Sequence, residues 1–284
     1  MSDAPYHPVP TVDSHQHFWD MDRLDYPWMP EGDNVLKRNF LPQDLEPLLK
    51  RTLVSKTVVV QAQMTNAEAS FLFELADNTD FIAGVVAWVD LTDPNVGATL
   101  DEMQQNSKFV GIRHQVHDES DPRWLLRDDV VRGLKELARR DLAYDLLLRP
   151  PHLPHIPELA DKVPDLRMVV DHIAKPLVAE GVIDPWAEDI ARIAEIPGLY
   201  CKVSGMATEA NPKTWQNDIK PYVAHVVECF GFDRLMWGSD WPVSLLVDTY
   251  DEIKHGAIAA VGDISHSEWA KLMGGNAIDF YRLG

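Results

Sequence analysis

The chain has 284 residues, 45% hydrophobic and 25% charged, which is the balance of a globular protein and not of a disordered or fibrous one. Its formal net charge of -19 repels phosphate backbones and anionic lipid, so nucleic acid and membrane are set aside as partners and a neutral small molecule is favoured. No run approaches the ~20 apolar residues that span a bilayer, and the opening MSDAPYHPVP lacks the apolar core of a secretory signal, so a cytoplasmic protein is expected.

Thr11–Phe18 is the first of eight short apolar runs that read as strands. It is followed by an irregular stretch from Trp19 to about Leu41, where Trp19, Tyr26 and Trp28 predict an ordered lid or pocket wall. The second strand is Lys56–Gln63. After it, Thr65 and Glu68 form a capping box at the head of a helix beginning FLFELA. Ile82–Asp90 and Phe109–Val116 come next, and then DDVVRGLKELARR, with Val130, Val131, Leu134 and Leu137 at helical spacing. Leu142–Leu148, Leu166–Ile173, Leu199–Gly205 and Arg234–Trp241 complete the strands, and Ser265 with Glu268 caps the last helix. Cys201 lies in a strand-like run and Cys229 in a helical one, and both are expected as reduced thiols. Runs such as TVVVQA and IAGVVAWV are apolar on both faces, as strands of a parallel sheet must be. Strands alternating with helices make βαβ units, and eight of them predict one (β/α)8 TIM barrel occupying residues 1–284 as a single domain.

Barrel enzymes carry their chemistry where the strands end. The first strand ends in Asp13-Ser14-His15-Gln16-His17. His15 and His17 are two apart, so they share a face and can chelate one divalent metal; two hydrogen-bonded histidines are the competing reading. The sixth ends in Asp171-His172-Ile173-Ala174-Lys175. There His172 is a third ligand or a general acid/base, and Lys175 a nearby positive charge. The eighth ends in Ser239-Asp240-Trp241-Pro242, where Asp240 is a proton acceptor for water or a cap of the next helix. Gln61, and either Arg113 or His114, offer hydrogen-bond donors for a hydroxylated carbonyl substrate; the sequence leaves open which of the last two faces inward. Lys202 carries the same ambiguity on the seventh strand. P-loop, G-x-G-x-x-G, CxxC and G-x-S-x-G signatures are all missing.

DSHQHF, GIRHQV, DHIAKP, CKVSG, GSDWP and GGNAIDFY, in this order and at these strand ends, resemble the amidohydrolase superfamily. Within it they look like the sugar-lactonase branch of L-fuconolactonase and L-rhamnonolactonase type. The resemblance implies metal ligation by His15 and His17, a catalytic carboxylate at Asp240, and His172 as ligand or carbonyl-polarising group. The fifth strand ends without histidine and the fourth without a bridging lysine, so one divalent metal, zinc first, or none, is implied. The expected reaction is hydrolysis of an aldono-1,4- or 1,5-lactone by water activated at Asp240. The oxyanion is held by Arg113, Lys175, Lys202 or the metal, and Trp28 and Trp241 stack on the sugar. A dicarboxylate-lactone hydrolase or isomerase, a non-oxidative decarboxylase and a non-catalytic binding protein are the alternatives. A homo-oligomer is left open.

Overall fold

Each of the eight runs forms a strand. In the computed structural model, which describes residues 9–284, these are β1 (Val12–Gln16), β2 (Lys56–Val60), β3 (Ile82–Ala87), β4 (Phe109–His114), β5 (Ala143–Leu146), β6 (Arg167–Val170), β7 (Tyr200–Val203) and β8 (Leu235–Trp237). Neighbours pair in parallel in chain order. The ring is closed by backbone bonds from His17 N–H to the Trp241 carbonyl (2.7 Å) and from Asp240 N–H to the His15 carbonyl (2.8 Å). The result is a (β/α)8 TIM barrel. The strands stop two to four residues short of the apolar runs, because those last residues leave the ladder and turn over the barrel mouth.

Two apolar cores follow from the alternation of side chains along each strand. The outer one lies between barrel and helices and takes the expected stripe Val130, Val131, Leu134 and Leu137. The inner one fills the barrel with Val12, Val58, Val60, Val86, Val110, Val169 and Met236. Its floor is Phe280 and Tyr281 from the last helix, Asn276–Tyr281. Burying each such side chain contributes about 1.5–3 kcal/mol.

Three strands break the alternation, β3 among them, where Thr57 and Val58 face Ile82 and Gly84 and Ala83 is an extra residue. In β4, Val85 and Val86 face Phe109 and Gly111, so Val110 is an extra residue. In β1 the register slips between Asp13 and Gln16. Such bulges re-aim every side chain beyond them. Val12 and His15, three apart, therefore both point inward.

The capping box at Ser265 and Glu268 forms, but at the head of a short helix, His266–Ala270, that precedes the last one. At the earlier one, Thr65 accepts from Glu68 N–H, but the Glu68 carboxylate turns away to accept from Ala62 and Gln63 N–H at the end of β2. The stretch from Trp19 to Leu41 is ordered. Trp19 and Phe40 exchange two backbone bonds of 3.0 Å, and the Trp19 indole N–H donates to the Leu36 and Arg38 carbonyls. Cys201 is buried and Cys229 half-buried, both as free thiols. Among the described residues no helix is long and apolar enough to cross a membrane.

Candidate active site

The extensions of β1, β6 and β8 meet at the mouth of the barrel. Asp240 Oδ1 lies 3.2 Å from His17 Nε2 and 3.8 Å from both His15 Nε2 and His172 Nε2. Three imidazoles thus converge on one carboxylate oxygen. His15 is wholly buried, whereas His17, His172 and Asp240 each keep 3% exposure, so the opening lies on their side. Backbone geometry holds two of them in place. Asp240 and His172 have φ of 55° and 53°, in the left-handed region that non-glycine residues enter at a cost of about 1–3 kcal/mol. Asp240 does not cap the next helix, and its carboxylate stays in the site.

Hydrogen bonds outside this ring fix how each imidazole presents itself. His17 Nδ1 faces the Val60 carbonyl at 2.8 Å. A carbonyl only accepts, so Nδ1 carries a proton and donates it to Val60, while Nε2 faces Asp240 Oδ1 at 3.2 Å. His172 Nδ1 is 2.9 Å from Ser204 Oγ. Burial lowers His15 and His172 well below the usual imidazole range and keeps both neutral. Burial alone would raise Asp240, but His172, His17 and Lys175 outweigh it and hold the carboxyl below its ordinary 3.8. The centre is therefore rich in acceptors and calls for a cation or a proton between them. His15, His172 and Asp240 each offer a ligand atom within 4.8 Å of the others, a nitrogen and carboxylate set suited to a divalent metal. His17 stands beside this set, its Nε2 3.2 Å from Asp240 Oδ1.

The other sequence candidates separate into inward and outward groups. Arg113 points inward because of the β4 bulge. Its Nε donates to Gln61 Oε1 (2.9 Å), its Nη2 to the Gln61 carbonyl and its Nη1 to Asp171 Oδ2 (3.2 Å), with His15 Nε2 also at 3.2 Å. Arg113 and Gln61 thus brace the site from below. Lys202 points inward too, but at 0% exposure it sits in the floor, paired with Asp145 and Asp171, and does not reach the mouth. Lys175 is at the rim, paired with Glu209.

His114, considered as a substrate donor, instead points out of the barrel. It stacks on Trp124 at 4.0 Å, accepts from Trp88 and bonds Glu119. Trp241, considered as a sugar-stacking group, is 1% exposed and packs edge-on against Phe18 and Phe40. Trp28 is half-buried against Trp19, and its indole N–H has no partner among the described residues.

Sequence reasoning passed over Ser204, Asp145 and Asp171. Ser204 stands in the CKVSG motif, but nothing in the motif pairs it with a histidine 32 residues earlier. Asp171 directly precedes His172; once His172 turns into a left-handed backbone, the two side chains part, Asp171 to the floor and His172 to the mouth.

A barrel whose first, sixth and eighth strand ends join three histidines and an aspartate is that of a hydrolase of the amidohydrolase type. The amidohydrolase family pattern matches residues 12–283, and the chain belongs to that family. It is 39% identical over 278 residues to an L-fucono-1,5-lactonase of Burkholderia ambifaria, covering 96% of this chain and 95% of that one. It is 36% identical over 287 residues to an L-fucono-1,5-lactonase of Burkholderia multivorans, covering 96% of each. The crystal structure of an amidohydrolase from Burkholderia multivorans with bound zinc superimposes with a TM-score of 0.91 at 34% identity, covering 97% of this chain and all of that one.

Proposed function

We propose that this chain is a sugar lactonase that opens an aldonolactone, L-fucono-1,5-lactone first, to its aldonate. The convergence of three imidazole nitrogens on Asp240 Oδ1 carries this reading, and the two lactonase relatives support the choice of substrate.

Asp240, ionised at neutral pH, accepts a proton from water as the water oxygen bonds to the lactone carbonyl carbon. His17 Nε2 lies beside the receiving carboxylate oxygen, with its ring fixed by the Nδ1 bond to the Val60 carbonyl. His172, neutral and anchored through Nδ1 on Ser204, presents Nε2 to the same centre. When the tetrahedral species collapses, the ring C–O bond breaks and the leaving alkoxide takes the proton back from Asp240. The new carboxylic acid then ionises. A divalent ion, zinc first, would be held by His15, His172 and Asp240, with His17 alongside, and would supply Lewis acidity to the carbonyl and the water. Trp28, with an unused indole N–H, is the proposed donor to a sugar hydroxyl. A dicarboxylate lactone is disfavoured, since the Arg113 donors are already engaged inside the protein and Arg149 is exposed just beyond β5.

The test is a panel of aldonolactones followed by acid release, run as purified, with added zinc or manganese, and after chelation. Asp240→Asn should lower kcat by roughly 10²–10⁴-fold while the fold survives. A panel with no acid release from any lactone, or an Asn variant of wild-type activity, overturns the reading. Carbon dioxide release from an aromatic acid would point to a decarboxylase.

A further inference from the structure

Beneath His15, on the side facing away from Asp240, lies a second set of metal-type donors that the proposed reaction does not use. His15, Asp145 and Asp171 each offer a ring nitrogen or a carboxylate oxygen, all within 4.8 Å of one another, and all three residues are 0% exposed. The space they enclose is filled by Lys202 Nζ. It is 2.5 Å from Asp145 Oδ2, 3.0 Å from Asp171 Oδ1 and 3.1 Å from His15 Nδ1. Lysine ordinarily keeps its ammonium in water by laying its stem along the surface, yet this one has no exposure at all. Charge is balanced around it. Two carboxylates, Asp145 and Asp171, meet two cations, Lys202 and Arg113, whose Nη1 reaches Asp171 Oδ2 at 3.2 Å. The Tyr281 hydroxyl closes the set, 2.8 Å from both Asp145 oxygens.

We propose that the Lys202 ammonium is a protein-supplied cation occupying a second metal position, so that the chain accommodates one divalent ion at His15, His172 and Asp240 and none beside it. An ammonium is a compact point charge with donors only, which makes it the side chain that best imitates a small cation among carboxylates. It also differs from a metal in a useful way. It cannot be lost or exchanged, so His15 is held against a fixed charge whatever ion the medium offers. The inference rests on the reading of the upper cluster as a one-metal centre.

Lys202→Ala vacates the position and leaves two buried carboxylates with one cation, a set that suits manganese. The experiment measures manganese per chain, by elemental analysis and electron paramagnetic resonance, in protein grown with manganese. Lys202→Ala should bind one equivalent more than wild type. Its unfolding temperature should rise with added manganese, while that of wild type does not rise through this position. Adding Asp145→Asn to Lys202→Ala should remove the extra equivalent. A folded Lys202→Ala variant with wild-type metal content overturns the proposal, as does a gain that survives Asp145→Asn. If Lys202→Ala cannot be recovered folded, Lys202→Ser is measured in its place. Failure of both to fold even with manganese in the medium also overturns the proposal, since a metal then cannot stand in for the ammonium. Metal counts read this proposal alone, and the lactone panel reads the function. A wild type with no ion and a variant with one would leave Lys202 as assigned and remove the one-metal reading.

Discussion

Gly205, just past β7, has φ of 63°, and a Cβ placed on it would lie 2.3 Å from His172 Nδ1, 2.5 Å from Cγ and 2.8 Å from Cε1. Ordinary contact begins near 3.4 Å, so in Gly205→Ala the imidazole must retreat by about 1 Å. It has little freedom to do so, being buried, set on a left-handed backbone and bonded to Ser204 Oγ. Two effects are expected and can be separated. The left-handed backbone penalises any side chain by about 1–2 kcal/mol. Gly198 supplies that term alone, because its φ is 74° and nothing lies within 4 Å of its would-be Cβ. The second effect is displacement of His172 from Asp240. A misplacement of ~1 Å costs about 10²-fold in rate, equal to ~2.7 kcal/mol of activation free energy. The assay is kcat/KM for lactone hydrolysis, with unfolding free energy measured on the same preparations. Gly198→Ala should lose stability and keep its kcat/KM; Gly205→Ala should lose both. Gly256→Ala serves as a third arm, since its Cβ would strike Trp215 at 2.2 Å among the helices. It should lose stability without losing activity per folded molecule. If Gly205→Ala matches Gly198→Ala in kcat/KM, the argument that Gly205 makes room for a working His172 is refuted.

Ser204→Ala removes the partner of His172 Nδ1. Loss of such a supporting bond should lower activity or metal affinity about 10–100-fold, and unchanged values would remove Ser204 from the site. Glu68 gives a pH prediction. Burial raises its carboxyl from 4.5 to about 8, although N–H bonds from Gln63 and Ala62 and the charge of Arg113 act the other way. A group raised on folding contributes stability that is complete below its unfolded value and is lost as pH rises through the folded one. Each pH unit between the two is worth about 1.4 kcal/mol. Glu68→Gln stays neutral, so its unfolding free energy should fall less than that of wild type between about pH 5 and about pH 8; parallel curves would contradict this. His114→Phe, on the outside of the barrel, should leave kcat/KM near wild type while losing roughly 1–3 kcal/mol through the orphaned partners Trp88 and Glu119. A large loss of turnover would place His114 in the site after all.

The barrel could be read from the chain because both faces of a parallel strand are buried, which leaves unbroken runs such as TVVVQA that no surface helix would show. The same property hides which way a given residue points. Where both faces are apolar, alternation carries no sign, and Arg113 and His114 are indistinguishable until Val110 is seen to bulge. The spacing of His15 and His17 suggested a shared face by simple alternation, and the two do share it. The slip between Asp13 and Gln16, however, is what turns that face inward relative to Val12. Polar residues at strand ends were found because a charge after an apolar run has to be satisfied there. What the run does not encode is distance across the barrel. Lys202 looked like one more donor for a substrate, since its partners Asp145 and Asp171 are 57 and 31 residues away and meet it only once the ring closes. Tyr281, 79 residues beyond Lys202, completes the same set from the last helix. The residues that touch the opening are thus the ones each strand announces locally. Those that hold them, Ser204 behind His172 and Lys202 beneath His15, are defined by closure alone, and variants at these two positions test the site without altering the proposed base.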